Sequence, residues 1–165
     1  TTVSPVTGRR PRTLLDEFRD FVEQVEPRLW AALTAAYGRE EGRDACAAAL
    51  AWAWEHWDRL ATMENPAGYL YRVGQSERRR ITRPLRMPPF SRATQTIHDD
   101  VLDPTIANAL SRLPTGQRVA VALVHMFGWS QHDVAGLLNV SPSTVKQALD
   151  RGARRLRQDL EGHDG

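Results

Sequence analysis

Between Ser141 and Leu160 the chain places Ser143, Gln147, Asp150, Arg151 and Arg154 at steps that share one side of a helix. These side chains are hydrogen-bond donors and acceptors of the kind that read base edges. Gln can pair with adenine and Arg with guanine in a major groove. Thr144, Lys146 and Arg157 flank that side, and flanking cations suit phosphates. The opposite side is apolar, with Val145, Leu149, Gly152, Leu156 and Leu160 stepping by three or four. One side is thus anchored in a core while the other stays polar and mostly cationic. An amphipathic surface helix that binds nothing would show the same two sides, so the preceding residues must decide.

Those residues form a second, shorter helix. Ser130 can cap it, with Asp133 at the capping-box position and Val134, Leu137 and Leu138 on one apolar face. Asn139 tolerates the left-handed conformation that ends a helix. Ser141 caps the next, and Pro142 suits a first helical position, where no amide donor is needed. Helix, tight turn and basic helix together form a helix-turn-helix whose second helix can enter a DNA groove.

Catalytic chemistry finds little support. His56, His98, His125, His132 and His163 make no metal-ligand spacing, and Cys46 is the only cysteine. No glycine-rich phosphate loop is present, and no local signature joins Ser, His and acid into a triad. Asp99, Asp100 and Asp103 read as a solvated acidic segment. No enzyme, metal, cofactor or small-molecule substrate is expected. The single cysteine excludes an intrachain disulfide and fits a reducing cytosol, with Cys46 as a small buried apolar residue. No apolar run is long enough to span a bilayer, and the opening TTVSPVTGRRPR lacks a signal peptide's apolar segment, so a cytoplasmic location is expected.

The 165 residues carry a net charge of only +2, so bulk charge says little about nucleic acid. Its distribution says more. Lys146, Arg151, Arg154, Arg155 and Arg157 form one basic group, and Arg78, Arg79, Arg80, Arg83, Arg86 and Arg92 form a second. Two such groups fit two contact zones on one polyanion, or a solubilising face plus a linker.

Strand alternation is nearly absent, so the fold class is all-α, with two small helical domains joined by an extended linker. Residues 1–12 read as a flexible tail and 13–81 as the first domain. Residues 82–103, with three prolines between Thr82 and Asp103, read as the linker. Residues 104–160 form the helix-turn-helix domain and 161–165 a short tail. In the first domain Thr13 caps a helix bearing Leu14, Phe18, Phe21, Val22, Val25, Leu29 and Leu33. Pro27 should bend or divide it, and Gly38 ends it. A second helix is expected over Glu40–Leu60, and Asn65-Pro66 caps and opens a third with Tyr69, Leu70 and Val73. In the second domain a short helix runs from Pro104 through Leu113. Thr115 caps another, with Val119, Leu123 and Phe127 buried.

On an ideal helix Cys46, Leu50, Trp54 and Trp57 share one face, and Trp52 lies opposite, beside Ala45, Ala48, Glu55, His56 and Arg59. A large indole away from the core stripe is either a partner surface or a residue covered by the N-terminal segment. Trp30 and Trp129 read as core.

Two helical domains, a proline-containing tether and a C-terminal helix-turn-helix resemble the extracytoplasmic-function sigma factors of the sigma-70 family. In the second domain Ala109-Leu110-Ser111-Arg112-Leu113-Pro114 through Gln117-Arg118 is similar to the family's L-x-x-L-P-x-x-x-R. Gly128-Trp129-Ser130 with Asp133-Val134-Ala135 is similar to G-x-S-x-x-E-I-A. Ser141-Pro142-Ser143-Thr144-Val145-Lys146 is similar to S-x-G-T-V-K, with Ser143 where Gly is usual. The first domain is worn. Asp44 and LAWAWEHWDRL resemble D-L-V-Q-E-x-F-L-x-x-W, but Ala47 and Ala48 replace Gln and an acid. Tyr69 stands for the usual Trp, and Ser76 stands near the usual Asn.

The resemblance implies a bacterial promoter-selecting subunit that binds core RNA polymerase and double-stranded promoter DNA. An anti-sigma protein is a possible restraint. Ser143, Gln147, Asp150, Arg151 and Arg154 would hold the upstream element, with Thr144, Lys146 and Arg118 on phosphates. Arg59, Met63, Asn65, Tyr69 and Arg72 would capture a base flipped from the downstream element. Asp44 and Ala48 lie in the region that grips polymerase, and Trp52 joins them as a partner-binding candidate. The two alanines also leave open a sigma-like DNA-binding regulator that does not initiate transcription. A protein-interaction adaptor is the third reading.

Overall fold

Thr13 opens the first helix through a reciprocal cap. Its hydroxyl accepts from the Asp16 amide at 3.2 Å, and the Asp16 carboxylate accepts from the Thr13 amide at 3.0 Å. These contacts, the Thr13 backbone bond first, hold the Asp16 carboxyl below its ordinary value. Helix α1 then runs unbroken over Leu14–Tyr37, so the expected division at Pro27 does not occur. Pro27 and Glu23, whose carbonyl loses its amide partner, both lie on the exposed side, where water can satisfy that carbonyl. Gly38, at φ 87°, ends the helix, and its amide donates to Thr34 O at 2.8 Å.

The computed structural model describes residues 10–82 and 104–162, with the side chains of 80–82 outside that description. Tail residues 1–9 and 163–165, linker residues 83–103 with Arg83, Arg86, Arg92 and the Asp99–Asp103 acids, and the side chain of Arg80 lie outside what is described. Helices α2 (Arg39–Glu55), α3 (Trp57–Leu60) and α4 (Pro66–Thr82) complete the first group. The second comprises α5 (Pro104–Ser111), α6 (Thr115–Val121), a π-helical turn (Ala122–Met126), α7 (Gln131–Leu138) and α8 (Pro142–Glu161). No strand occurs among the described residues, in agreement with the all-α expectation.

Small residues let α2 approach α1 closely. The buried stripe of α2 is Gly42, Ala45, Cys46, Ala49 and Ala53. A Cβ on Gly42 would come within 2.6 Å of the α1 backbone at Thr34. The expected single helix over 40–60 is broken at His56, at φ −122° and ψ 28°, where the His56 ring stacks on Trp52 and its Nδ1 sits 2.9 Å from Trp52 O. Asn65 caps α4 as expected, accepting from the Gly68 amide at 3.0 Å. A Cβ on Gly68 would fall 2.5 Å from the Asn65 side-chain nitrogen, so a larger residue there would displace the capping side chain.

In the second group α5 ends two residues earlier than expected. Thr115 is not a cap; it is the first residue of α6, and Pro114 holds the cap position without a side-chain bond. The Pro114 carbonyl takes the Arg118 amide at 2.9 Å, which starts the helix without a hydroxyl. Val119 and Leu123 are fully buried and Phe127 is half-buried.

Both groups share one apolar core. Residues 31–36 of α1 are all buried, which no helix achieves against a single neighbour. Leu33 reaches α4, where its methyls would crowd a Cβ on Gly74, and α2 covers Thr34. At about 100° per residue, Ala31, Ala32, Ala35 and Ala36 occupy the other half of the helix. α6 and the π-helical turn pack against α1 there.

Candidate nucleic-acid interface

The helix-turn-helix forms by the expected local chemistry. Ser130 Oγ accepts from the Asp133 amide at 3.0 Å. The reciprocal half of the box is not made; the Asp133 carboxylate lies 3.8 Å from Arg28 instead. Asn139 takes the left-handed conformation at φ 54° and ψ 48°, and it is the one non-glycine with positive φ among the described residues. Ser141 Oγ accepts from the Thr144 amide at 3.1 Å, and Pro142 occupies the first turn of α8.

Burial then separates the two sides of α8. Val145, Leu149 and Gly152 face inward, and Leu156 and Leu160 are half-buried. Gly152 fits tightly: a Cβ there would lie 2.8 Å from a methyl of Val121 on α6. Ser143, Thr144, Lys146, Gln147, Asp150, Arg151 and Arg154 are all exposed. Gln147, Arg151 and Arg154 lie along one stripe spanning about 10 Å at 1.5 Å per residue, which matches roughly three base-pair steps. The Ser143 and Thr144 hydroxyls lie 2.9 and 2.8 Å from Ser141 Oγ, a network that fixes the leading turn of the helix.

Arg118 does not join this face, which corrects the expectation that it contacts phosphate. Its guanidinium is half-buried and bonded to four carbonyl oxygens: Ala35 at 3.0 Å, Ala36 at 2.6 Å, Ser111 at 3.2 Å and Leu113 at 3.1 Å. Desolvation draws its pKa below the ordinary arginine value. Nothing in the local sequence separates a phosphate ligand from such a clasp, because the carbonyls come from α1, far off in sequence.

The downstream candidates gather only in part. Tyr69 packs on Trp52 with ring centroids 5.3 Å apart, and His56 stacks on the same indole at 4.2 Å. Met63 is half-buried against the core, while Arg59 and Arg72 are exposed. Asn65 donates to Gly136 O of α7 while capping α4.

Trp54 leaves the core stripe on which it was expected, and Trp52, read as either a partner surface or a residue covered by the N-terminal segment, is covered by a different element. Trp52 is half-buried under His56 and Tyr69, and so is covered by α4. Trp54 is 51% exposed and lies against Phe18 at 5.0 Å, with Phe21 and Trp57 adjoining. The physical reason is the small-residue stripe. Packing by Gly42 and Ala49 sets the inward direction of α2, and Trp54 sits about 120° round from Gly42. The glycine and the alanines were the available signal, and the larger residues obscured it. Leu14, at the start of α1, is 70% exposed. Asp44 is exposed and Ala48 half-buried on α2. Cys46 is buried as expected, and desolvation raises its thiol to about 11, which leaves it unreactive.

Among the described residues no group of His, Cys, Asp and Glu could hold a metal, and no helix is long and apolar enough to cross a membrane. A capped helix-turn-helix with an open polar face defines a DNA-binding module, and residues 105–156 match the family model for sigma-70 region 4. Over 159 residues the chain is 28% identical to the RNA polymerase sigma-E factor of Streptomyces antibioticus, covering 90% of this chain and 88% of that one. It is 29% identical over 164 residues to the sigma-E factor of Streptomyces coelicolor, covering 91% of each. In fold it is similar to the sigma factor RpoE solved with the anti-sigma factor NepR from Bartonella quintana. That match has a TM-score of 0.61 and 22% identity over 88% of this chain and 97% of that one. It is also similar to CnrH solved with the cytosolic domain of CnrY, with a TM-score of 0.58 and 22% identity over 88% of each chain. The chain is thus similar over most of its length to RNA polymerase sigma-E factors, and its C-terminal part matches sigma-70 region 4.

Proposed function

We propose that the chain is a cytoplasmic sigma factor that binds core RNA polymerase and directs promoter-specific transcription initiation, leaving bond formation to the polymerase. The observation that carries this is the open Gln147–Arg151–Arg154 stripe on a capped α8 within the region 4 match. Ser143 and Asp150 add base-edge partners, and Thr144 and Lys146 hold phosphates. In this reading residues 13–81 act as region 2 and 104–160 as region 4, joined by 82–103. Arg59, Met63, Asn65, Tyr69 and Arg72 surround a base extruded from the downstream element. Tyr69 offers a stacking ring. The exposed Asp44 side of α2, with Ala48, meets polymerase, and Trp54 extends that apolar surface in place of Trp52. An anti-sigma protein is a natural restraint, as the similar RpoE structure was solved with an anti-sigma factor.

Ala47 is exposed and Ala48 half-buried where the family carries Gln and an acid, and this favours one rival, a DNA-binding regulator that does not initiate. Transcription with purified core polymerase across a genomic promoter library separates the two. Specific starts that disappear on Arg151→Ala support the sigma factor. Duplex binding without any start supports the regulator.

A further inference from the structure

One charge on the duplex-reading side of α8 has the opposite sign to its surroundings. Asp150 is exposed, with Lys146 one turn before it, Arg154 one turn after it and Arg151 beside it, all exposed as well. Among the described residues Asp150 makes no ion pair with any of them. Its carboxylate is therefore neither neutralised nor tucked away.

The buried stripe fixes the direction in which it stands. At about 100° per residue, Gln147 lies opposite the stripe of Val145, Leu149, Gly152 and Leu156. Asp150 lies about 60° to one side of Gln147 and Arg151 about 40° to the other, with Arg154 between Asp150 and Gln147. All four thus face forward when α8 enters a groove. A helix with its side chains is about 10–12 Å across and the major groove about 12 Å wide, so the helix fills the groove. A short acidic side chain facing forward cannot reach out to water past the helix, as a lysine or arginine can. It must meet donors on the groove floor or stand unpaired among acceptors, which weakens binding.

The groove floor offers two such donors, the N4 amino group of cytosine and the N6 amino group of adenine. Guanine presents O6 and N7, and thymine presents O4 and a methyl group, so neither gives a carboxylate a partner. Glutamine escapes this restriction because its amide both donates and accepts. We infer that Asp150 sets promoter specificity by exclusion. The upstream element must place cytosine or adenine beneath it, and guanine or thymine at that step is rejected. This rests on the reading of α8 as the duplex-binding helix. The flanking cations attract any duplex, and the carboxylate weakens the hold wherever the amino group is missing.

The test uses the full chain and a duplex library with one randomised block, selected by the wild type, Asp150→Ala, Asp150→Asn and Arg151→Ala. The wild type should enrich cytosine or adenine at one position, and guanine or thymine there should weaken binding about tenfold, the scale of one mismatched base pair. Asp150→Ala should erase the preference at that position alone and tighten binding to the guanine and thymine duplexes several-fold. Asp150→Asn regains a donor, so guanine should become acceptable there while adenine remains so. Uniform tightening on every sequence overturns the assignment, because Asp150 then acts only through repulsion of phosphates. A lost preference for guanine also overturns it, because Asp150 then orients an arginine instead of touching a base. Arg151→Ala separates the two readings. If it weakens duplex binding while Asp150→Ala alters no position, Asp150 is no specificity residue and α8 remains the DNA-binding helix. If neither variant changes duplex binding, both readings fall.

Discussion

The two helical groups solve the same packing problem in different ways. The first relies on small residues and close backbones: Gly42 against the α1 backbone and Gly74 against Leu33. Its aromatic rings are left at the edge, with Trp54, Phe18, Phe21 and Trp57 in a partly open cluster. The second relies on capped ends and interlocked branched side chains, with Val119, Val134 and Val145 fully buried under a polar α8. One group therefore presents apolar rings and the other presents hydrogen-bonding side chains. Under the proposed function, the first surface suits a protein partner and the second a polyanion.

This contrast can be broken or sharpened by substitution. The largest effect is expected from Leu33→Ala, which empties a fully buried site where α1 meets α4. A loss of about 2–5 kcal/mol in denaturant unfolding is expected for a buried Leu→Ala. Gly42→Ala comes next. Despite the better helix propensity of alanine, its Cβ meets unyielding backbone, and a loss of about 1–3 kcal/mol is expected from overpacking. A neutral result would show that α1 and α2 have slack, and the contrast between the groups would fail.

Arg151→Ala should leave stability within experimental error and weaken binding to a selected upstream duplex by about 1–3 kcal/mol, with relaxed preference at one position. Equal weakening on all sequences would reassign Arg151 to phosphate. Ser141→Ala should cost about 1 kcal/mol of stability through the lost α8 cap, read by thermal melting. The smallest effect concerns Asp16. Its folded-state pKa lies below the ordinary 3.8, so its contribution is present above that value and is lost as pH falls through the lower, folded-state pKa. Asp16→Asn should thus narrow the gap between melting temperatures at pH 7 and pH 3.

Much of the second group was legible because its determinants are local. Ser130, Asn139, Ser141 and Pro142 each act within a few residues, and the apolar steps of α8 mark its buried side directly. The first group resisted because its determinants are distant. Whether Trp52 or Trp54 turns inward depends on Gly42 meeting α1 and on Tyr69 of α4, and periodicity on α2 alone favoured the bulkier residues. Arg118 resisted for the same reason: its partners at Ala35 and Ala36 lie some eighty residues away. Thr115 failed as a cap because Pro114 already supplies an extended residue before the helix.

Gly38 closes α1 and opens α2 as a single shared joint. One residue provides no spare length, so these two rods cannot scissor or slide past each other without tearing the glycine-to-backbone seam beside them. Large rearrangements on loading or release must then pivot elsewhere, with this pair travelling as a rigid lever.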